Sequence, residues 1–185
     1  MIIYDLKINS LEHLPKVKNL PIISDCDGTL FEHGTTKAYP DVEQALGSAS
    51  CLALVSAHPD EDLMQERQQL LGADIAISSS KPTWYKGKLF SEVASNLAKS
   101  INKAVILGDR PVADVGIAKM VFAHHKIDTL GVRIDRPNQP IPSRIDYLLK
   151  PTYAVCKTIV KISNQETRFR PNFVESLKLA EDFLE

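Results

Sequence analysis

Short apolar runs alternating with longer amphipathic segments most narrow what this chain can fold into. The runs Pro21 to Ser24, Cys51 to Val55, Asp74 to Ile77, Lys103 to Leu107 and Thr129 to Ile134 each have the length and composition of a strand buried on both faces. Between them lie Asp41 to Ser48, Asp60 to Leu71, Trp84 to Ser100 and Val112 to Phe122, where apolar residues recur three and four apart, as Leu89, Val93 and Leu97 do. That spacing predicts helices with one buried face. Five strands joined by crossover helices imply right-handed connections and an α/β fold, a doubly wound parallel sheet. Ligands of such sheets bind beyond the carboxyl ends of the strands.

The 185 residues, 44% hydrophobic and 24% charged, suffice for one packed core. Twenty-two Lys and Arg against 23 Asp and Glu give a formal net charge of -1, so no global positive field attracts nucleic acid, and no nucleic-acid partner is expected. An anionic substrate must be held locally. The start of the chain lacks a basic region followed by an apolar stretch, and no run approaches the roughly 20 apolar residues of a membrane span. A cytoplasmic protein is expected. Cys26, Cys51 and Cys156 form no paired motif and read as reduced thiols.

The C-terminal part differs in character. Arg136 to Pro142 contains three prolines and reads as a turn-rich link, Lys150 to Arg170 is mostly basic among its charges, and a last helix is predicted over Asn172 to Leu184. Residues 1–150 are thus expected to form the core and 151–185 a helical extension packed on it. Val155, Ile159 and Ile162 beside Lys157 and Lys161 would suit weak peripheral contact with the inner face of a membrane; a solvated helix face gives the same pattern.

Asp25-Cys26-Asp27-Gly28-Thr29-Leu30 directly follows the first of these apolar runs. It places two carboxylates and a flexible glycine turn where open sheets form their sites. Alone it could be a capping Asp-Gly turn. Phosphoryl transfer, however, needs an attacking oxygen, a cation to offset charge and an acid for the leaving oxygen, tasks that two aspartates two apart can divide. Gly108-Asp109-Arg110-Pro111-Val112-Ala113-Asp114 repeats the placement after a later strand, and oxygen-only ligands there suit Mg²⁺. Ser56 follows the second run, and Lys81 follows the third with Lys86 and Lys88 as competitors; a hydroxyl and an ammonium at these places could hold a phosphate.

Taken in order, Asp25 and Asp27, Ser56, Lys81, Asp109 and Asp114 resemble the four motifs of the haloacid dehalogenase (HAD) superfamily of phosphohydrolases. The resemblance covers about residues 20 to 135. It implies that Asp25 is the nucleophile, forming an aspartyl-phosphate, and that Asp27 is the acid–base residue. Ser56 and Lys81, with Gly28 and Thr29, would hold phosphoryl oxygens. Mg²⁺ would be bound by Asp25, Asp109 and the backbone carbonyl of Asp27, with Asp114 in support. Crowding by Asp25 would raise the pKa of Asp27.

From Leu30 to Ser56 and from Ser56 to Lys81 the chain has only about 25 residues each, too few for a cap domain, so the chain resembles the capless members (subclass IIIA). Within them it is most similar to the YqeG and phosphatidylglycerophosphate phosphatase-like family, through the lead Leu11 to Val17, Lys81-Pro82, and Gly108-Asp109 with Asp114 five residues on. It departs at Asp25-Cys26-Asp27-Gly28-Thr29-Leu30, where that family usually reads Asp-Leu-Asp-Asn-Thr-Leu, and at Ser56-Ala57-His58, where it reads Ser-Asn-Asn. The expectation is a Mg²⁺-dependent phosphatase for a large phosphorylated substrate, a membrane phospholipid being the family's case. Phosphoproteins or polynucleotide ends are alternative targets. An inactive binding module of the same fold is a reading of another class.

Overall fold

The computed structural model describes residues 4–79, 86–137 and 173–184. Six strands form one all-parallel sheet: β1 (Leu6–Ile8), β2 (Pro21–Asp25), β3 (Cys51–Ser56), β4 (Ile75–Ser78), β5 (Lys103–Gly108) and β6 (Asp128–Ile134), in the order β1-β6-β5-β2-β3-β4. The connecting helices are α1 (Val42–Leu46), α2 (Glu61–Leu71), α3 (Lys86–Leu97) and α4 (Ile117–His124), and α5 (Phe173–Leu184) closes the described chain. The five expected strands are present with their ends moved by a residue at most. β1 is an addition: only three residues long, it pairs with β6 through Leu6 opposite Val132 and Ile8 opposite Ile134, too short to show alternation in sequence.

Alternation of side chains along each strand builds two cores. Ile22, Leu52, Leu54, Val105, Leu107 and Val132 face a layer that includes Leu11, Leu46, Met64, Ala180 and Phe183. Ile23, Ala53, Val55, Ala104 and Ile106 face Leu89, Val93, Phe122 and their neighbours on α3 and α4. Because both faces are covered, all five residues of β2 are buried, which is why its sequence reads as a continuous apolar run. α2 is set by its ends: Asp60 accepts the Leu63 amide at 3.0 Å, and Gly72 closes the helix at φ 61°, a left-handed position that suits glycine.

The predicted helix Val112 to Phe122 is instead two pieces. Pro111–Gly116 forms a wide π-helical turn that runs into α4, with the Val115 amide reaching back to the Arg110 carbonyl at 3.3 Å. α5 packs against the sheet through Ala180 and Phe183, and Lys103 donates to the Phe183 carbonyl at 3.0 Å. The basic segment Lys150 to Arg170 and most of the proline-rich link lie outside the described residues. Among the described residues, no helix is long and apolar enough to cross a membrane.

The chain order of the sheet fixes where a site can form. From β2 the chain moves outward through β3 and β4, then returns to place β5 on the other side of β2 and continues to β6. The crevice at the carboxyl ends of β2 and β5 is therefore the topological switch point, where open α/β sheets bind ligands.

Candidate active site

Asp25 is the last residue of β2 and Gly108 the last of β5, so Asp25 and Asp109 both emerge at the switch point. The next turn brings in Asp114. Its Oδ2 accepts the Arg110 amide at 2.9 Å, which folds the carboxylate back toward the strand end. Gly108 makes that approach possible, since a Cβ there would fall onto the Asp114 side chain. One carboxylate oxygen from each of Asp25, Asp109 and Asp114 lies within 4.8 Å of the others.

Lys86, the first residue of α3, is the counter-charge. Its Nζ donates to Asp25 Oδ1 at 2.5 Å and to Asp114 Oδ1 at 2.6 Å, and it is 4% exposed. Burial would favour its neutral form, but the two carboxylates overcome that and hold the ammonium charged. The lysine expected here, Lys81, lies outside the described residues. Lys86 was a competitor of Lys81 in the sequence, but Lys88 shares the first turn of α3, and the pattern alone does not choose between them.

Three carboxylates face one ammonium. The ammonium donates to two of them, Asp25 and Asp114. The excess falls on Asp109: burial, then the charges of Asp114 and Asp25, push its carboxyl up to about 9, and its buried Oδ1 has no hydrogen-bond partner. Burial and Asp114 likewise raise Asp25 to about 6 against the pull of Lys86. An oxygen-only donor set with surplus negative charge and an orphaned buried oxygen fits a hard divalent cation such as Mg²⁺.

Beyond Asp25 the chain turns tightly. Gly28 takes φ 76°, its amide donates to the Phe31 carbonyl at 2.8 Å, and the amides of Thr29, Leu30 and Phe31 converge on the Cys26 carbonyl. The amides of Gly28 and Thr29 are thus used within the turn, while the Thr29 hydroxyl lies 3.4 Å from Asp25 Oδ2. Cys26 points into the core, its Sγ 3.9 Å from Met64 Sδ, and burial pushes its thiol up, the opposite of a nucleophilic cysteine. Ser56, at the end of β3, accepts the His58 amide at 3.1 Å.

Asp27 departs from expectation. Burial does raise its carboxyl, yet Arg67 and the Gly34 amide outweigh burial and hold it below its usual range. Arg67 Nη2 donates to Oδ1 at 2.8 Å and the Gly34 amide to the same oxygen at 2.7 Å. Arg67, fully buried on α2, was not singled out in the sequence. Its signal was position: it follows Met64 by three residues and fills a place in the buried stripe of α2 that pattern alone gives to an apolar side chain.

No family model, curated protein or solved structure matches this chain. What the site does has to be read from its own geometry.

Proposed function

We propose that this protein is a Mg²⁺-dependent phosphomonoester hydrolase working through an aspartyl-phosphate on Asp25. The observation that carries this reading is the convergence of Asp25, Asp109, Asp114 and Lys86 at the switch point, with an unpartnered Asp109 oxygen. Asp25, Asp109 and the backbone carbonyl of Asp27 would hold Mg²⁺, with Asp114 in support. The bound ion would supply positive charge against the phosphoryl oxygens.

The residues divide the chemistry as follows. Asp25 attacks phosphorus, the bond to the leaving oxygen breaks, and Asp27 delivers a proton to that oxygen. Asp27 then takes a proton from water, whose oxygen attacks the aspartyl-phosphate; inorganic phosphate leaves and the Asp25 carboxylate is regenerated. Asp27 rests ionised, the form that activates water. An arriving phosphoryl dianion adds the negative field that raises a carboxyl's pKa, favouring the protonated form for the first step. Lys86 aligns Asp25 and offsets charge as phosphate is transferred, and the Ser56 hydroxyl stands at the neighbouring strand end to receive a phosphoryl oxygen.

The chain length between the site's described elements bears on substrate size. Between Thr29 and Ser79 the chain forms only a short hairpin, α1, β3, α2 and β4, elements of the core with no inserted domain. This supports a capless member of the haloacid dehalogenase superfamily, whose open site takes a large substrate able to exclude water itself. A phospholipid such as phosphatidylglycerophosphate, the choice suggested by the likeness to the YqeG family, is the first candidate.

The test is phosphate release from phosphatidylglycerophosphate, a phosphopeptide, a 3′-phosphorylated oligonucleotide and p-nitrophenyl phosphate, with and without Mg²⁺, beside Asp25→Asn. Mg²⁺-dependent turnover that vanishes in the folded variant is expected. Turnover retained by Asp25→Asn removes the mechanism, and a folded wild-type chain inactive on every substrate turns the reading to a binding module.

A further inference from the structure

Asp27 is held from two directions. From α2 comes Arg67, whose Nη2 and Nη1 lie 2.8 Å and 3.4 Å from Asp27 Oδ1 and Oδ2. From the hairpin after β2 comes the Gly34 amide. The same guanidinium also donates to the Thr35 carbonyl in that hairpin, through Nε at 2.9 Å and Nη2 at 2.7 Å, and its carbon lies 4.8 Å from the centre of the Phe31 ring. Within the hairpin, Phe31 bridges Ala38 and the Thr35 hydroxyl donates to the Glu32 carbonyl at 3.0 Å and accepts the Lys37 amide at 3.1 Å, while His33 Nδ1 lies 3.8 Å from Asp27 Oδ1. Glu32 and Lys37 pair through the Glu32 amide and an exposed salt bridge, and residues 33–35 at its tip are exposed.

A fully buried arginine is expensive in stability unless its fork is used, and apolar side chains of similar volume usually do as well for packing alone. Here the fork is used on two acceptors from separate segments. A lysine could reach one of them but not span both in one plane.

We propose that Arg67 is a positioning residue of this site, fixing the Asp27 carboxylate and the 32–37 hairpin as one unit beside Asp25. The role rests on the reading of Asp27 as the acid–base residue. It predicts that Arg67 acts on turnover through Asp27, and that loss of its fork frees the hairpin.

A double-mutant cycle on p-nitrophenyl phosphate hydrolysis with Mg²⁺ tests the first part. Arg67→Met is expected to lower kcat about 100-fold, as small misplacements of a reacting group do, with little change in KM. In an Asp27→Asn background the same substitution should cost less than about threefold. An equal loss in both backgrounds means a merely structural role and overturns the proposal. Mass-spectrometric timing of trypsin cleavage after Lys37 tests the second part without catalysis or metal. Cleavage should quicken on the order of tenfold in Arg67→Met through local opening, and an unchanged rate overturns the tie to the hairpin. If circular dichroism shows Arg67→Met unfolded, Arg67→Gln, polar but too short to bridge the two acceptors, enters both measurements with the same expected directions. Wild type without turnover, or matched by Asp25→Asn, overturns the phosphohydrolase reading and Arg67's part in turnover with it, while the trypsin rates still decide the hairpin tie.

Discussion

Asp109 sits where the needs of stability and of the site conflict. Its buried Oδ1 has no hydrogen-bond partner, and burial with the charges of Asp114 and Asp25 outweighs the pull of Arg110 and disfavours its ionised form, so with protein groups alone its charge is a liability. A cation reverses the sign of the interaction, since each carboxylate then gains more from the metal than it loses to its neighbours. With its carboxyl raised to about 9, Asp109 must take up a proton to fold at pH 7 without metal, and Asp109→Asn removes that cost and keeps the shape. It is expected to raise the thermal midpoint of the metal-free protein by a few degrees, about 1 kcal/mol for a chain of this length. The same variant should lose the upward shift that millimolar Mg²⁺ gives wild type. Calorimetric scans of both proteins, each with EDTA and with Mg²⁺, read the two effects separately. A variant that is less stable without metal, or still stabilised by Mg²⁺, contradicts the placement of Asp109 among the ligands.

At the scale of elements, the π-helical turn Pro111–Gly116 is what carries Asp114 into the site, and two glycines make room for it. A Cβ on Gly108 would meet the β-carbon of Asp114, whereas one on Gly131 in β6 would lie 2.6 Å from Val115 Cγ1 and 2.9 Å from Lys119 Cδ. Both Gly108→Ala and Gly131→Ala overpack and should destabilise by about 1–3 kcal/mol in urea titrations. They differ in where the strain goes. Gly108→Ala displaces a carboxylate bonded to Lys86 and should cost at least about tenfold in phosphate release, while Gly131→Ala presses on Val115 and Lys119, neither bonded to the site carboxylates, and should leave turnover within about threefold. Equal activity losses would mean that the turn moves as a whole. This turn also marks a limit of the sequence. The strands from β2 onward and most helix spans were legible because burial on both faces writes a continuous apolar run and burial on one face writes a 3.6-residue period. A π-helical turn keeps nearly the same apolar spacing as an α-helix over six residues, so Val112 to Phe122 read as a single helix. β1 has three residues and one exposed lysine, too little for a period. The aspartates were legible as motifs at strand ends, but Lys86, Arg67 and the choice of carboxylate that Arg67 holds depend on which segments meet in space.

For the molecule as a whole, the residues that tie its outer segments together are ionisable and buried, which makes the fold sensitive to acid. Asp41, beside the start of α1, accepts from the Ser10 hydroxyl at 2.7 Å, the Leu11 amide at 2.6 Å and Arg136 Nη1 at 2.5 Å. Arg136, beyond β6, also donates to the Thr29 carbonyl through Nε at 3.2 Å and Nη2 at 3.0 Å. One carboxylate thus joins the N-terminal lead to α1 and, through Arg136, to the end of β6 and the loop that follows Asp25. Burial opposes ionisation of Asp41, but Arg136, Ser10 and the Leu11 amide overcome it and hold the carboxyl below its usual range. A carboxyl depressed on folding contributes stability that is fully present above its unfolded value, about 3.9, and is lost as pH falls through the folded value. Asp41→Asn should therefore lower stability at pH 7 by about 3 kcal/mol, the loss typical of breaking a buried pair from one side, roughly 6–12 °C in Tm. Below pH 4 the wild-type midpoint should fall toward that of the variant as Asp41 protonates and gives up the same interaction. Comparing the two proteins at each pH cancels the groups they share, including the aspartates of the site. A gap that stays constant from pH 7 to pH 3 would show that Asp41 acts through its shape and hydrogen bonds, with its charge contributing nothing to the joint.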